Sequence, residues 1–487
     1  MDAVSSERAE RSATQRRRRP TAISPGVIAG VVAALDASAV IAAIPCVSLT
    51  RLLVKGMPFL PPFGAVALAV CLMLLAFQAA GLYRFSVIAK PGKHSKMFVF
   101  VGSSVAVGII ALGVTLEFLT RFPRISVVAW LIFSLAILLG VRFLAAASLR
   151  RLAEAGRIGR RIVIFGAGPQ GRRLAERIKE SDEPWNRVIG VFDDRSTRRD
   201  ESIVGIPVSG GLRELLQWGQ RNRPDEILLA LPWSAEDRIL GILHQLAVLP
   251  SNVRLAPEFQ RTDLIQGWSS SHFGLPMITA YEKPVDGWGR IWKRLADFGI
   301  AVVAILIAAP VLLLIALLVR LESPGPILFS QPRFGFNNKL INVYKFRSMR
   351  ADASDTLGEH LTERGDCRIT RVGAVLRRYS LDELPQLLNV IRGEMSLVGP
   401  RPHAIRTTAG GKQCDAVVDQ YAIRHKVKPG ITGWAQVNGW RGTMETEEHL
   451  VKRLEHDLYY INNWSPVFDV KILFLTIWAV FNGRNSY

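Results

Sequence analysis

Two adjacent carboxylates lie between two arginines in the C-terminal third of the chain. Asp382 and Glu383 follow Arg377 and precede Arg401. One carboxylate could attack a phosphorus atom as a nucleophile, while its neighbour could hold a metal ion that shields the attacking charge from the substrate's phosphates. The arginines would then neutralise the charge that spreads over the transferring group. Alternatively, the acidic pair merely favours a helix N-terminus that Ser380 caps.

Several blocks around this pair are similar to those of one known family. The blocks are SPGPILFSQPRFG at 323–335, YKFRSM at 344–349, SLDELPQ at 380–386, GEMSLVGPRP at 393–402 and KPGITGWAQVNG at 428–439. Over about the last 200 residues, continuously and in order, they resemble the bacterial sugar transferases, which are polyprenyl-phosphate phosphoglycosyl transferases. The resemblance implies that Asp382 is the nucleophile and forms a covalent phosphosugar intermediate with release of UMP. It also implies that Glu383 binds magnesium.

The substrates of such a reaction carry a pyrophosphate and a lipid phosphate, so several fixed cations are expected near the carboxylates. Arginine suits bidentate phosphate contacts, although a run of cations is more often a solvated face. His403 and His425 are expected to pack or to hydrogen-bond, because the chemistry needs no histidine. The candidate phosphate ligands are Arg377 and Arg401, then Lys345 and Arg347, and then, from the block that the family places near its nucleotide site, Lys428 and Gln436.

The composition indicates a chain with separate membrane and water-soluble parts. Hydrophobic residues make up 49% of the 487 residues and charged residues 21%, and the mean hydropathy is +0.21. The net charge of +20 favours partners that carry phosphates. No nucleic-acid motif accompanies this charge, so no nucleic-acid partner is expected, and lipid and nucleotide phosphates explain it better.

Cysteine usage and the N-terminus exclude other arrangements. The first apolar run is too long and its flank too rich in arginine for a removed signal peptide, so none is expected. The cysteines have no ligand-like spacing, so neither a disulfide framework nor a zinc site is expected. The four cysteines are Cys46, Cys71, Cys367 and Cys414.

The first 150 residues predict a membrane domain. Residues 1–26 are polar and basic and are expected to form a disordered cytoplasmic tail. Four apolar segments follow within 27–150, each near the ~20 residues that a membrane-spanning helix needs. Asp36 and Glu117 lie inside two of them and are expected to face a neighbouring helix or the membrane interface, without a catalytic role. The segments are 27–49, 63–83, 98–119 and 125–145.

Residues 151–286 predict a Rossmann-like α/β domain. A strand from 161 to 165 leads into Gly166, Gly168 and Gly171, and a second strand ends at Asp193. Strand, glycine turn, helix, strand and terminal acid together fit a dinucleotide-binding fingerprint. No tyrosine has a lysine four residues later, as a short-chain dehydrogenase or dehydratase would require. A structural or regulatory domain able to bind a nucleotide is therefore favoured over an oxidoreductase.

Residues 287–487 predict the catalytic domain, which begins with a membrane element. The apolar segment at about 297–319 has Pro310 at its middle and basic residues on both flanks. Proline removes a helix hydrogen bond, and positively charged flanks stay in the cytoplasm, so a re-entrant helix is expected. The family usually has a serine before this proline, where the chain has Ala309. A last apolar run, 467–481, predicts a helix that lies in the membrane interface, with a soluble core helix as the alternative.

The predicted protein therefore has an α-helical membrane bundle, a Rossmann-like α/β domain and a monotopic α/β phosphoglycosyl transferase domain. The richer set of basic loops orients it with the catalytic domain on the cytoplasmic face of a bacterial inner membrane. The resemblance implies transfer of a sugar 1-phosphate from a UDP-sugar to undecaprenyl phosphate with Mg²⁺, to start exopolysaccharide, capsule or O-antigen assembly. The blocks 438–442 and 399–404 resemble those of glucose-transferring members, so UDP-glucose is expected, with UDP-galactose next.

Other functions and partners remain open at this point. A second copy of the chain and polysaccharide-assembly proteins are further candidate partners beside the lipid bilayer. One alternative function is a membrane-anchored, NAD-dependent nucleotide-sugar dehydratase or epimerase driven by the Rossmann-like domain. Another is a non-enzymatic regulator or a flippase-like membrane protein, for which Asp382 would be dispensable.

Overall fold

The computed structural model describes most of the chain, which divides into two compact units. One unit comprises residues 1–160 and 181–187, and the other comprises residues 161–180 and 188–487. Residues 1–23 of the predicted tail, Glu117, Cys367 and Arg441 lie outside the described residues. Those described are 24–56, 58, 61, 63–115, 124–155, 158–181, 183, 185–195, 202–256, 271, 272, 275–350, 366, 368–404, 408, 409, 412–414, 418, 421–440, 442 and 446–481.

The first unit is helical. Its helices are α1 (Pro25–Lys55), α2 (Phe63–Ala79), the short α3 (Phe85–Ala89), α4 (Pro91–Thr115) and α5 (Arg124–Glu154). Helices α1, α4 and α5 are long and apolar enough to cross a membrane, and α2 is a shorter apolar helix. The four predicted apolar segments are thus confirmed as helices.

A buried ion pair joins the first and last of these helices. Arg142 Nη2 lies 2.6 Å from Asp36 Oδ2, and Asp36 is fully buried. The same carboxylate oxygen accepts a hydrogen bond from the Tyr83 hydroxyl at 3.1 Å. Arg142 also donates to the Leu82 carbonyl and lies over the Phe98 ring. Asp36 therefore faces neighbouring helices, as expected, because a charge in an apolar bundle needs a partner.

The second unit begins with a Rossmann-like sheet. Its five strands have the order β2-β1-β5-β6-β9. Strand β5 pairs in parallel with β1 and with β6, and β9 pairs antiparallel with β6. The strands are β1 (Arg160–Phe165), β2 (Asn186–Phe192), β5 (Glu226–Leu229), β6 (Asn252–Leu255) and β9 (Ile278–Tyr281), with the two-residue hairpins β3 (Ser202–Ile203) and β4 (Ile206–Pro207), and β7 (Ser271–His272) and β8 (Leu275–Pro276).

Three helices accompany this sheet, and its neighbouring strands β1 and β5 are the most deeply buried. The helices are α6 (Pro169–Glu180), α7 (Leu212–Asn222) and α8 (Glu236–Leu246). Val163, Ile227 and Val253 belong to one apolar cluster, and Ile162 and Leu228 to another. Buried parallel strands of this kind, alternating with helices, are typical of an α/β domain.

The remainder of the second unit holds the carboxylates. Its helices are α9 (Gly287–Glu322), α10 (Arg371–Arg378), α11 (Gln386–Arg392), α12 (Trp434–Val437), α13 (Glu447–Asn462) and α14 (Pro466–Phe481). Its strands are β10 (Leu328–Phe334), β11 (Leu340–Phe346), β12 (Ser396–Val398), β13 (Thr408–Ala409), β14 (Lys412–Gln413) and β15 (Gly430–Thr432). Strands β10 and β11 form an antiparallel hairpin, and β12 pairs in parallel with β15.

Helix α9 is continuous over its 36 residues, with Pro310 in its interior. It too is long and apolar enough to cross a membrane. Its N-terminal half is fixed to the rest of the domain through Asp297, which is largely buried. That carboxylate accepts hydrogen bonds from the Ser396 hydroxyl at 2.7 Å and the Leu397 amide at 3.2 Å. Helix α9 therefore holds the strand that leads to Arg401.

A close backbone crossing fixes where that strand ends. A Cβ at Gly399 would lie 2.5 Å from the Lys428 carbonyl oxygen, and a Cβ at Gly430 would lie 2.1 Å from the Gly399 nitrogen. Real side chains do not tolerate such distances, so glycine is required at both positions for β12 and β15 to meet in this way.

Candidate active site

Asp382 and Glu383 lie in a single 3₁₀ turn, Leu381–Glu383, between α10 and α11. Ser380, just before the turn, has a left-handed backbone with φ of 57°. Ser380 offers no side-chain cap to the turn, contrary to the simple helix-start interpretation. Both carboxylates are more than nine-tenths buried. Carboxylates this deeply buried need positive partners.

Glu383 receives those partners directly. Arg401 donates from Nη2 to Oε1 at 2.5 Å and from Nη1 to Oε2 at 3.0 Å. Lys345 Nζ lies 2.8 Å from Glu383 Oε1 and 4.0 Å from Asp382 Oδ2. No described side chain donates a hydrogen bond to the Asp382 carboxylate. Glu383 is thus held by Arg401 and Lys345, while the Asp382 oxygens remain available to contact a substrate.

The two carboxyl groups have opposite pKa shifts. Burial raises the pKa of Asp382, against the opposing charge of Lys345. Burial also acts to raise the pKa of Glu383, but Arg401 and Lys345 outweigh it and hold that pKa well below its usual value. Such a divergence between adjacent acids is typical of sites where the two groups have different roles.

Arg377 takes a position beside the pair. Its Nε donates to the Ser348 hydroxyl at 2.9 Å, and its charge acts to lower the pKa of Asp382. Arg377 lies in the last turn of α10, which is preceded by its cap residue Thr370, whose side chain accepts a hydrogen bond from the Gly373 amide. The structure therefore brings together five predicted residues, namely Asp382, Glu383, Arg377, Arg401 and Lys345.

Neighbouring contacts fix the strand that carries Lys345. Asn389 on α11 is fully buried and accepts from the Tyr344 amide while donating to the Asn342 carbonyl. It also donates to Glu394. One amide side chain thereby joins β11 to α11, which directly follows the acidic pair.

Three other predicted phosphate ligands lie elsewhere. Arg347 is buried and donates to the carbonyls of Val319, Ser323 and Pro324, at the end of α9. The Gln436 side chain donates one hydrogen bond, at 3.4 Å to the Ile431 carbonyl, and its buried Oε1 has no hydrogen-bond partner among the described residues.

Lys428 lies close to the first half of α9. Burial, followed by the charge of Arg294, lowers its pKa, while Asp297 acts in the opposite direction. Arg294 itself donates to the carbonyls of Val390 and Ile391. None of these contacts reaches the acidic pair, so phosphate binding by Arg347, Gln436 and Lys428 stays a prediction.

A second set of buried charges was not predicted from the sequence. Arg424 Nη2 donates to the Arg401 carbonyl at 2.7 Å and lies 2.8 Å from Asp457 Oδ2. Its Nη1 lies 2.6 Å from His403 Nδ1. Arg453 lies one helical turn before Asp457 on α13, and both are more than nine-tenths buried. Charges on the apolar face of a helix are the sequence signal that could have identified them.

The two histidines have structural surroundings, as predicted. Burial and then Arg424 hold the pKa of His403 well below its usual value. His403 is hydrogen-bonded to the Tyr421 hydroxyl, and His425 to Asn338. Burial, followed by Arg424, lowers the pKa of His425 to about 3. Both imidazoles are therefore neutral at pH 7.

The glycine turn of the Rossmann-like sheet has the expected close approach. Gly166 has φ of +111°, and a Cβ at Gly171 would lie 1.9 Å from the Gly166 carbonyl oxygen. The Asp193 side chain lies against this turn. Its Oδ2 accepts a hydrogen bond from the Ala167 amide at 2.7 Å, and its Oδ1 accepts one from the Arg195 amide at 2.9 Å. The acid that completes the fingerprint is therefore bonded to backbone amides, and cofactor binding by Gly166, Gly168, Gly171 and Asp193 stays a prediction.

Two family models match the chain. Residues 288–483 match the bacterial sugar transferase model, and residues 78–257 match a CoA-binding domain model. The first match contains all five of the clustered residues. The second begins before the Rossmann-like sheet, within the helical region.

Curated relatives match along most of the chain. The undecaprenyl-phosphate glucose phosphotransferase of Komagataeibacter xylinus is 39% identical over 74% of this chain and 66% of that protein. The UDP-glucose:undecaprenyl-phosphate glucose-1-phosphate transferase of Escherichia coli is also 39% identical, over 67% of this chain and 69% of that protein. The chain thus spans about two thirds of the length of these relatives.

A shorter relative matches the second half alone. The exopolysaccharide production protein PSS of Rhizobium leguminosarum is 50% identical over 38% of this chain and 94% of that protein. The matched part of this chain is therefore nearly the whole of that protein. The clustered carboxylates and cations, the family models and these relatives agree, and the chain belongs to the bacterial sugar transferase family.

Proposed function

We propose that the protein transfers glucose 1-phosphate from UDP-glucose to undecaprenyl phosphate and releases UMP. The observation that carries this proposal is the contrast between the clamped Glu383 and the available Asp382. A carboxylate with free oxygens, close to Lys345 at 4.0 Å and to the charges of Arg377 and Arg401, is suited to attack phosphorus. The names of the relatives support the same transfer.

The reaction has two displacement steps. An Asp382 oxygen bonds to the phosphorus that carries the sugar, and the bond from that phosphorus to the UMP oxygen breaks. UMP then leaves with the bonding electrons. A phosphate oxygen of the lipid next attacks the same phosphorus, and the Asp382 carboxylate is released. Arg377 and Lys345 stabilise the charge on the transferring phosphoryl group in both steps.

Glucose is the donor sugar that we favour. Relatives with glucose in their names include four that this chain matches over at least two thirds of its own length. One relative, from Aeromonas hydrophila, is named for N-acetylgalactosamine, and it matches 39% of this chain. UDP-galactose remains the second donor to test, and the product would start an exopolysaccharide, a capsule or an O-antigen.

Magnesium fits the acidic pair. This ion is usually held by one or two carboxylates together with substrate phosphates, which is what Asp382 and Glu383 can offer. Glu383 Oε2 accepts one hydrogen bond, from Arg401, and so keeps a lone pair for a cation. The described residues contain no cluster of three or more His, Cys, Asp or Glu side chains that could hold a metal ion without help from the substrate. A bound ion would neutralise charge on the pyrophosphate.

Helices α9 and α14 support a location of the site at a membrane surface. Exposed apolar side chains on α14 include Val467 at 78% and Phe474 at 69% exposure, and such a surface suits a bilayer. We propose that α9 enters and leaves the membrane on the cytoplasmic face, with Pro310 at its turn. The variants Arg290→Cys and Glu322→Cys test this topology. Labelling of both cysteines from the cytoplasmic side would support it, whereas labelling from opposite sides would contradict it.

The dehydratase or epimerase alternative has less support. Its cofactor site would need Asp193, whose two carboxylate oxygens already accept backbone amides. Absorbance changes of a nicotinamide cofactor during turnover would reverse this preference.

The deciding experiment measures UMP release. The full chain in nanodiscs with undecaprenyl phosphate and magnesium is offered a panel of UDP-sugars. We expect UMP from UDP-glucose, and a loss of at least about a thousandfold in Asp382→Asn. Asp237→Asn, which changes an exposed carboxylate on α8, should retain the wild-type rate. Equal rates for Asp382→Asn and the wild type would refute the proposal.

A further inference from the structure

The cluster behind Arg401 has an unbalanced positive charge. Arg424 and Arg453 are 2% and 3% exposed, and Asp457 is the carboxylate that faces both of them. That carboxylate is engaged by Arg424 at 2.8 Å. Arg401 and Tyr421 are further titratable groups whose charges influence the pKa of Arg453. His403 lies nearby and is neutral. Within the described part of the chain, two buried cations thus share one anion.

Arg453 has few partners of its own among the described residues. Its buried Nε and Nη2 atoms have no hydrogen-bond partner. Its Nη1 reaches only the Gly442 carbonyl, at 3.5 Å. Burial, followed by the charge of Arg424, lowers its pKa to about 9, so the guanidinium remains charged at pH 7. A buried, charged and unsatisfied guanidinium is costly to the fold unless an anion binds there.

The cluster is connected to the acidic pair through one residue. Arg424 donates to the backbone carbonyl of Arg401, and the Arg401 side chain clamps Glu383. An anion bound at Arg453 would therefore be coupled to the acidic pair through Arg424 and Arg401.

We propose that Arg453, supported by Arg424, forms a subsite for a phosphate monoester group. This inference rests on the proposed function for the source of the phosphate. The departing UMP and the acceptor undecaprenyl phosphate offer the same chemistry, and Arg453 presents two donor atoms of its planar fork to it. The subsite is separate from the Lys345, Arg377 and Arg401 set at the reacting phosphorus.

Binding measured without turnover tests the subsite. Thermal unfolding of the full chain in nanodiscs is followed with UMP, with inorganic phosphate, with undecaprenyl phosphate and with uncharged undecaprenol. Ligands that bind the native state raise the unfolding temperature in proportion to their affinity. In Arg453→Gln we expect the affinity for UMP or undecaprenyl phosphate to fall about tenfold or more. Arg453→Lys should recover part of it, and undecaprenol should not distinguish the variants.

A matched control separates a binding role from a structural one. Arg347 is as buried as Arg453, but it donates to three backbone carbonyls. Arg347→Gln should therefore lower the unfolding temperature of the unliganded protein, whereas Arg453→Gln should leave it unchanged or raise it. A loss in Arg453→Gln as large as that in Arg347→Gln would overturn the proposal, as would unchanged affinities for both phosphates.

The measurements with UMP and with undecaprenyl phosphate identify which of them supplies the bound phosphate. They also keep the subsite proposal distinct from the proposed function. Weaker UMP binding alone assigns the subsite to the nucleotide, and weaker undecaprenyl phosphate binding alone assigns it to the acceptor. Either result supports the subsite. Because no donor sugar is present, these results do not depend on catalysis by Asp382. If Asp382→Asn retained full UMP release, the proposed function would fail while the binding result would stand.

Discussion

Arg401 holds both oxygens of Glu383, with Nη2 2.5 Å from Oε1 and Nη1 3.0 Å from Oε2. This paired geometry neutralises Glu383 before any substrate is bound. Asp382, its neighbour in the chain, has no such clamp. The two adjacent acids are thereby made chemically different by the surrounding fold.

The first prediction concerns the fork geometry of Arg401. Arg401→Lys keeps the charge but loses one of the two parallel hydrogen bonds, so we expect the rate of UMP release to fall about tenfold or more. Initial rates at saturating UDP-glucose measure this effect. Arg378→Lys, at an exposed position on α10, is the control and should match the wild type. Full activity in Arg401→Lys would show that charge alone suffices.

The second prediction concerns pH. Lys345 is the largest influence that lowers the pKa of Asp382, against the effect of burial. Lys345→Met removes that charge, so the Asp382 pKa rises and the attacking carboxylate forms only at higher pH. We expect the acidic limb of the pH–rate profile to move to higher pH. In Lys345→Arg, which keeps the charge, the limb should remain close to the wild-type position. An acidic limb that does not move in Lys345→Met would exclude this coupling.

The third prediction compares one substitution at two glycines. A Cβ at Gly430 would lie 2.1 Å from the Gly399 nitrogen, so Gly430→Ala forces β12 and β15 apart and should cost about 1–3 kcal/mol. A Cβ at Gly299, in α9, would meet nothing within 4 Å. Gly299→Ala should therefore stabilise the helix by roughly 0.5–1 kcal/mol. Thermal unfolding measures both, and equal effects would contradict the close crossing.

The fourth prediction concerns the buried ion pair of the membrane helices. Asp36→Asn or Arg142→Met alone leaves one buried charge uncompensated, which should cost about 3–5 kcal/mol. The double variant removes both charges and should be more stable than either single variant. Unfolding in detergent of all four proteins gives the coupling energy. Simple addition of the two losses would show that the contact does not stabilise the bundle.

The sequence predicted what local pattern and motif spacing determine. The helices near the N-terminus, the α/β alternation and the Asp382–Glu383 pair follow from hydrophobic runs and from blocks that are contiguous in the chain. The partners of those residues do not, because tertiary folding selects them. Arg347 lies two residues after Lys345, a spacing that would place both side chains on the same face of a continuous strand. It caps the end of α9 instead, because β11 ends at Phe346.

Residues on helix α13 show the same limit. Arg453 and Asp457 lie about 70 residues beyond the acidic pair and meet Arg424 only because α13 presents its buried face there. A sequence pattern locates them on one face of a helix but does not name their partners. The sequence likewise does not indicate that Arg142 pairs with Asp36, since the two residues are 106 positions apart.

That separation has a consequence for how the protein is made. At a synthesis rate of about 5–20 residues per second, Asp36 is added to the chain roughly 5–20 seconds before Arg142. During this interval the first helix carries a carboxylate without its counterion, so it cannot settle in its final lipid environment. The N-terminal bundle can therefore close only after its last helix, α5, has been synthesised, and biogenesis of the domain ends with a single late pairing.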